Sequence, residues 1–160
     1  MGDGKDSRTT IERRSERELV VTHSFDAPAR IVFEAWATPE LFLRWWIPKS
    51  AGVTLLSSNM DIRTGGSYRL EFDHPSSEHP MAFFGTYQEV APPSQMVWTN
   101  EESPDGALTT VTFAEEDGRT LVVLTDLYPS KEALDAAIAS DSTGGFDEQF
   151  GQLDAILAAL

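Results

Sequence analysis

From Val53 to Tyr128 the chain is cut into strand-like segments by turns too short to hold a helix. The segments are 53–61, 67–74, 81–90, 95–101, 107–115 and 119–127, and the breaks are Gly65-Gly66, "HPSSEHP", Pro92-Pro93, "SPDG" and "EEDG". Parallel neighbours would need crossovers of about a dozen residues or more, so six strands joined this closely form an antiparallel meander. Tyr68, Leu70 and Phe72 alternate with Arg69 and Glu71, Met96 and Trp98 with Val97 and Thr99, and Val111 and Phe113 with Thr110 and Thr112. This period of two gives the sheet one apolar face and one mixed face, and the apolar face needs a cover.

The ends of the chain supply it. "ELVVTHSF" (18–25) reads as a further strand, and "DAP" after it as a helix start with Asp26 at the N-cap and Pro28 in the first turn. Ile31, Val32, Ala35 and Trp36 then form one stripe of a helix that Thr38-Pro39 breaks, and "PELFLRWW" begins a second short helix with Pro39 at its first position. After the meander, "SKEALDAAIAS" (130–140) is a short helix. "GFDEQFGQLDAILAAL" (145–160) places Phe146, Phe150, Leu153, Leu157 and Leu160 on one stripe, with Asp147, Glu148, Gln152 and Asp154 opposite. Such a helix lies on a surface, and the apolar sheet face is the obvious one. Residues 1–16 are polar and aperiodic and read as a disordered arm, leaving 17–160 as a single domain.

Composition narrows the function. Residues 1–17 hold five basic and four acidic side chains, net +1, so the rest of the chain carries −15 of the total −14, a body that repels nucleic acid backbones. No apolar run reaches the roughly 18 residues that would cross a bilayer, and the N-terminus lacks the apolar core of a secretory signal, so membrane insertion is excluded and a cytoplasmic location expected. Cysteine is absent, which removes disulfides, thiol catalysis and thiolate metal sites. No G-x-S-x-G, HExxH, Walker loop or GxGxxG is present. Glu34, Glu71 and Glu89 are candidate general bases, but no two are placed as an acid and base pair.

The order strand, two helices, six antiparallel strands, long helix resembles the helix-grip, START-like fold of the SRPBCC superfamily, an α+β class. "APARIVFEAWATPELFLRWWIP", "DIRTGGSYRLEF", "GTYQEVAPPSQMVWT" and "GGFDEQFGQLDAIL" together resemble the family named for an activator of the heat-shock-ninety chaperone ATPase. The likeness runs in order over residues 18–160. Two departures stand out: Gly145-Phe146 where the family often has Gly-Trp, and an extra short helix within 129–142, both placed to reshape the mouth of a pocket. The resemblance implies a curved sheet around a long C-terminal helix, with a cavity between them. Relatives of this broad fold bind lipids, steroids or polyketides, cyclise polyketides, or bind a chaperone, so fold alone does not choose a function.

The candidate site is that cavity. Trp45 and Trp46 point about 100° apart on a helix, so if one ring packs in the core the other lines the cavity rim or faces solvent. Inward strand residues Tyr68, Leu70, Phe72, Trp98 and Phe113 would line the remaining space, alongside Val111, Val122 and Leu124. The helices would add Phe33, Trp36, Phe146, Phe150 and Leu153. A solid core made of the same rings is the competing reading. Asp73, His74, Glu78 and His79 have metal-compatible donors in a spacing that matches no metal motif, and no metal or cofactor is expected. Arg63 reads either as an anchor for a ligand carboxylate or as the partner of Asp61 at the strand entry. His23 reads as a structural histidine. The leading function is binding of a small hydrophobic or amphipathic ligand. The alternatives are a protein-interaction module with a chaperone or other protein as partner, and a polyketide cyclase-like enzyme. Outward-facing Leu121 and Val123 point to a homodimer.

Overall fold

The computed structural model describes residues 9–139 and 145–159. Its strands are β1 (Thr10–Arg13), β2 (Glu18–Phe25), β3 (Thr54–Met60), β4 (Ser67–Asp73), β5 (Met81–Ala91), β6 (Gln95–Thr99), β7 (Leu108–Glu116) and β8 (Arg119–Leu127). They form one antiparallel sheet in the order β1-β2-β8-β7-β6-β5-β4-β3, so the meander from β3 returns β8 to the side of β2. Helices α1 (Ala29–Ala37) and α2 (Pro39–Trp46) fill the excursion between β2 and β3, and α3 (Lys131–Ala139) and α4 (Phe146–Ala159) follow β8. Register shifts between Leu55 and Ser57 and between Tyr87 and Glu89 bend the sheet, since a bulge increases local twist. The result is the expected α+β helix-grip arrangement, with the sheet curled around the C-terminal helix.

The entry to β4 depends on two glycines. Gly65 adopts φ +88°, and a Cβ on Gly66 would lie 2.0 Å from the Asp61 carbonyl oxygen. The backbone of this turn then bonds across to β5, with Gly65 N–H donating to the Tyr87 carbonyl at 2.8 Å and Tyr87 N–H to the Gly66 carbonyl at 2.9 Å. A side chain at Gly66 would break that approach.

Two local expectations are corrected. Within the arm expected to be disordered, Thr10–Arg13 forms β1 on the edge of β2; residues 1–8 lie outside the described residues. Asp26 does not cap α1. The helix begins after Pro28, the Ala29 N–H donates to the Glu115 carboxylate at 2.9 Å, and Asp26 pairs with Arg119 at 2.8 Å. Helix N-termini leave orphan N–H groups that any nearby acceptor can satisfy, and here a carboxylate from the β7–β8 hairpin does so. The polar side of α4 binds the end of α2. Gln152 Nε2 donates to the Trp45 and Ile47 carbonyls at 2.9 Å each, Gln149 Nε2 donates to the Trp46 carbonyl, and Glu148 accepts from the Ser50 N–H and hydroxyl. The two glutamines occupy the carbonyls left open at the end of α2, which locks the two helices together. The Ser50 donors hold the Glu148 carboxyl below its ordinary range.

His23, inward on β2, is buried between Thr9 Oγ1 at Nδ1 and Asp154 Oδ2, 2.9 Å from Nε2. It ties the start of the described chain to the last helix, the structural role expected of it.

Candidate functional site: an aromatic cavity with one acidic end

A cavity of about 660 Å³ lies between the sheet and helices α2, α3 and α4. Its volume falls within the range of small-molecule sites. Two features of the sequence leave it open. The helices rest on β2, β7 and β8, so the inward faces of β4, β5 and β6 are only partly covered. Their cover is the end of α2 and α3, and α3 presents Ala133, Ala136 and Ala137, side chains too short to fill the gap.

The structure divides the expected site residues into two groups. Trp46, Tyr68, Leu70 and Phe72 line the cavity, as do Trp36, Trp98 and Phe146. Phe33, Trp45, Phe113, Phe150 and Leu153 do not; they are buried in the solid part of the core beneath α1 and α4. Trp36 stands at the boundary, its ring 4.4 Å from Trp45, 5.2 Å from Phe113 and 5.9 Å from Phe150. The double tryptophan is thus split: Trp45 is fully buried with Nε1 donating to the Ala35 carbonyl at 2.9 Å, and Trp46 stacks on Phe42 and faces the cavity.

Met81 and Phe83, 36% and 40% exposed, belong to the same lining and mark its opening to solvent. Another part of the lining is polar. Asp126 on β8 is 9% exposed, and Thr109 on β7 donates its hydroxyl to Asp126 Oδ1 at 2.6 Å. Asn100 Nδ2 donates to the Ala107 carbonyl at 2.7 Å and to Thr109 Oγ1 at 3.0 Å. Tyr68 completes the group, its hydroxyl donating to the Thr99 carbonyl at 2.8 Å. Burial pushes the Asp126 carboxyl up to about 6 against the opposing effect of the Thr109 hydroxyl. Burial also raises the phenols of Tyr68 and Tyr87, and that of Tyr128 to about 12, so all three are neutral at ordinary pH.

Asn100, Thr109, Asp126 and Tyr128 were missed in the sequence reading. A signal existed: Thr109 shares the inward parity of Val111 and Phe113, and Asp126 that of Val122 and Leu124, so both are polar residues on a face otherwise apolar. The other candidates lie elsewhere. Arg63 pairs with Asp61 at 2.9 Å on the surface, Glu71 pairs with Arg69, Glu89 accepts from Gln95, and Glu34 is exposed; none lines the cavity. His74 accepts from the Ser76 N–H, and among the described residues no cluster of three metal-capable side chains occurs.

Fold and cavity together define a START-like helix-grip protein. The sequence profile of the family described as "Activator of Hsp90 ATPase homolog 1-like protein" matches residues 26–158, and the chain belongs to that family. Solved structures agree on the fold. A protein from Rhodobacter sphaeroides superposes with a TM-score of 0.85 at 23% identity, covering 95% of this chain and 99% of its own. One from Staphylococcus epidermidis gives 0.76 at 26% identity, with 94% of each chain covered. An AHSA1-like protein from Aeromonas hydrophila gives 0.66 at 21% identity, over 86% of this chain and 93% of its own. No curated protein matches the chain. No helix among the described residues is long and apolar enough to cross a membrane.

Proposed function

We propose that the protein binds a small hydrophobic or amphipathic molecule in the cavity between the sheet and α4, in the cytoplasm and with no cofactor of its own. The observation that carries this reading is the 660 Å³ space walled by Trp46, Tyr68, Phe72 and Trp98 and lined in part by a hydrogen-bonded polar group. Hydrogen bonds anchor two of these wall residues: the Tyr68 hydroxyl donates to the Thr99 carbonyl, and the Trp46 carbonyl accepts from Gln149. Native mass spectrometry of the purified protein, followed by denaturing extraction, tests it. A small apolar molecule released at near-stoichiometric amount, and a thermal shift that grows with added ligand and is lost in Trp46→Ala, are the expected results. An empty protein that no lipid, steroid or polyketide stabilises would overturn the reading.

A second reading, docking to another protein, draws on the outer side of β8, where Leu121 is 47% exposed and Leu127 36%. The partner would be a chaperone, as the family name suggests, or a second copy of the chain. Leu121→Lys should then abolish a complex seen by sedimentation while leaving ligand-induced thermal shifts unchanged. The cyclase-like alternative would require turnover that disappears in Asp126→Asn.

A further inference from the structure

We propose that the ligand of this cavity is an amphipathic cation, an amine on an apolar body, whose ammonium group sits against Asp126. The inference rests on the cavity being a ligand site and adds the chemical class. Among the described residues the lining contains no Lys, Arg or His, while Glu102, Asp105 and Asp126 supply three carboxylates. The hydrogen bonds around Asp126 run one way. The Ala107 carbonyl can only accept, which fixes the Asn100 amide with Nδ2 toward it and toward Thr109. Thr109 therefore receives from Asn100 and spends its one hydroxyl hydrogen on Asp126. Tyr68 directs its own to the Thr99 carbonyl at 2.8 Å and, at 3.3 Å, to Asn100 Oδ1. Asp126 thus ends a chain of donors, and its second oxygen has no hydrogen-bond partner among the described residues. A carboxylate nine-tenths buried with open acceptor capacity calls for a donor, and a cation satisfies it best.

The aromatic walls favour the same charge. Ring faces such as those of Trp46 and Trp98 attract ammonium groups, and the net charge of −14 draws cations toward the protein. A fatty acid or acidic steroid would instead bring a second anion beside Asp126 with no cation to separate them.

Three fluorescent probes that differ only in the head group test this: pyrenemethylamine, pyrenemethanol and pyrenecarboxylate. At about pH 7.5 the amine should bind about tenfold tighter than the alcohol, the difference between a charge-assisted and a neutral hydrogen bond, with the carboxylate weakest. Asp126→Asn should bring amine and alcohol to equal affinity. Unmodified protein provides a second test, because at about pH 5 Asp126 is protonated while the amine keeps its charge, so amine affinity falls and alcohol affinity does not. The other titratable groups at that end are Tyr68 from β4, Tyr128 after β8, and Glu102 and Asp105 between β6 and β7; α3 contributes only alanines to the lining. The tyrosines stay neutral throughout, and Glu102→Gln and Asp105→Asn separate those two carboxylates from Asp126. Alcohol or carboxylate binding as tightly as the amine would overturn the cation assignment and leave the ligand site standing. Amine preference abolished by Glu102→Gln or Asp105→Asn, but not by Asp126→Asn, would overturn the role of Asp126. Failure of all three probes to bind would remove the ligand site itself.

Discussion

Phe113 on β7 and Trp98 on β6 both face inward on adjacent strands, but their surroundings differ. Phe113 meets Phe33 at 5.0 Å and Trp36 at 5.2 Å, edge to face, and does not line the cavity; Trp98, just as buried, meets Trp46 at 6.1 Å and gives part of its surface to the cavity wall. Residue type does not explain the contrast, since both halves of the sheet are built from large aromatics. What differs is the cover. Helix α1 packs on β7 and β8, and α4 packs on β2 and α2, so rings there are pressed together; over β4–β6 the cover is the end of α2 and the alanine face of α3. A ring becomes core or wall according to the helix above it.

The largest expected effect breaks the molecule on its solid side. Trp45→Ala removes a fully buried ring and its bond to the Ala35 carbonyl, and should cost about 3–5 kcal/mol in denaturant unfolding. Trp98→Ala should cost about half as much, because part of its surface already borders a void. Equal losses at the two positions would mean that the cavity is filled in solution by collapse of the walls, and the contrast between the halves would disappear.

The next effect isolates the polar end. In the unfolded chain Asp126 titrates near its ordinary 3.8, while in the folded protein burial raises it to about 6. Between those values the folded state keeps a proton that the unfolded state has released, so stability falls as pH rises and the penalty is complete above about pH 7. Asp126→Asn keeps the bond from Thr109 without the buried charge. Its stability relative to the original protein should therefore improve by roughly 3 kcal/mol between about pH 3 and pH 7. A pH-independent difference would show that Asp126 is solvated, and the acidic end would lose its special character.

Much of the fold was legible because it is local. Alternation and paired turn residues marked the six meander strands, and the Thr38-Pro39 break separated α1 from α2. The misses were set by distant groups. The "TIER" segment of β1 has no buried side and is held by its pairing with β2, so no apolar period announces it. Glu115 reaches Ala29 from 86 positions away, which no reading of "DAP" could reveal. For the site, the inward parity of Tyr68, Phe72 and Trp98 was readable. The separation of walls from core was not, because it depends on where α1 and α4 come to rest.

Trp46→Ala should sharpen the same contrast at lower cost. Its ring is half-buried and stacks on Phe42 at 4.9 Å, so about 1–2 kcal/mol of stability should be lost. Probe binding should fall much more than stability does, as expected of a wall. Phe150→Ala should do the reverse, with a large loss of stability and no specific effect on probes once the protein is folded. Thermal shifts measured with and without pyrenemethylamine separate the two.

The smallest effect compares two tyrosines of the cavity whose rings lie 5.6 Å apart. Tyr68 donates to the Thr99 carbonyl, whereas the Tyr87 hydroxyl has no hydrogen-bond partner among the described residues. Tyr68→Phe leaves a carbonyl without its donor and should cost about 1 kcal/mol; Tyr87→Phe should change stability by less than about 0.5 kcal/mol. Denaturation of the two variants side by side resolves a difference of this size. If Tyr87→Phe proves the costlier, the bond to Thr99 is not what holds the Tyr68 wall in place. The cavity would then owe its shape to the Gly65–Gly66 turn beneath Tyr87, which bonds to that residue through the backbone and survives either substitution.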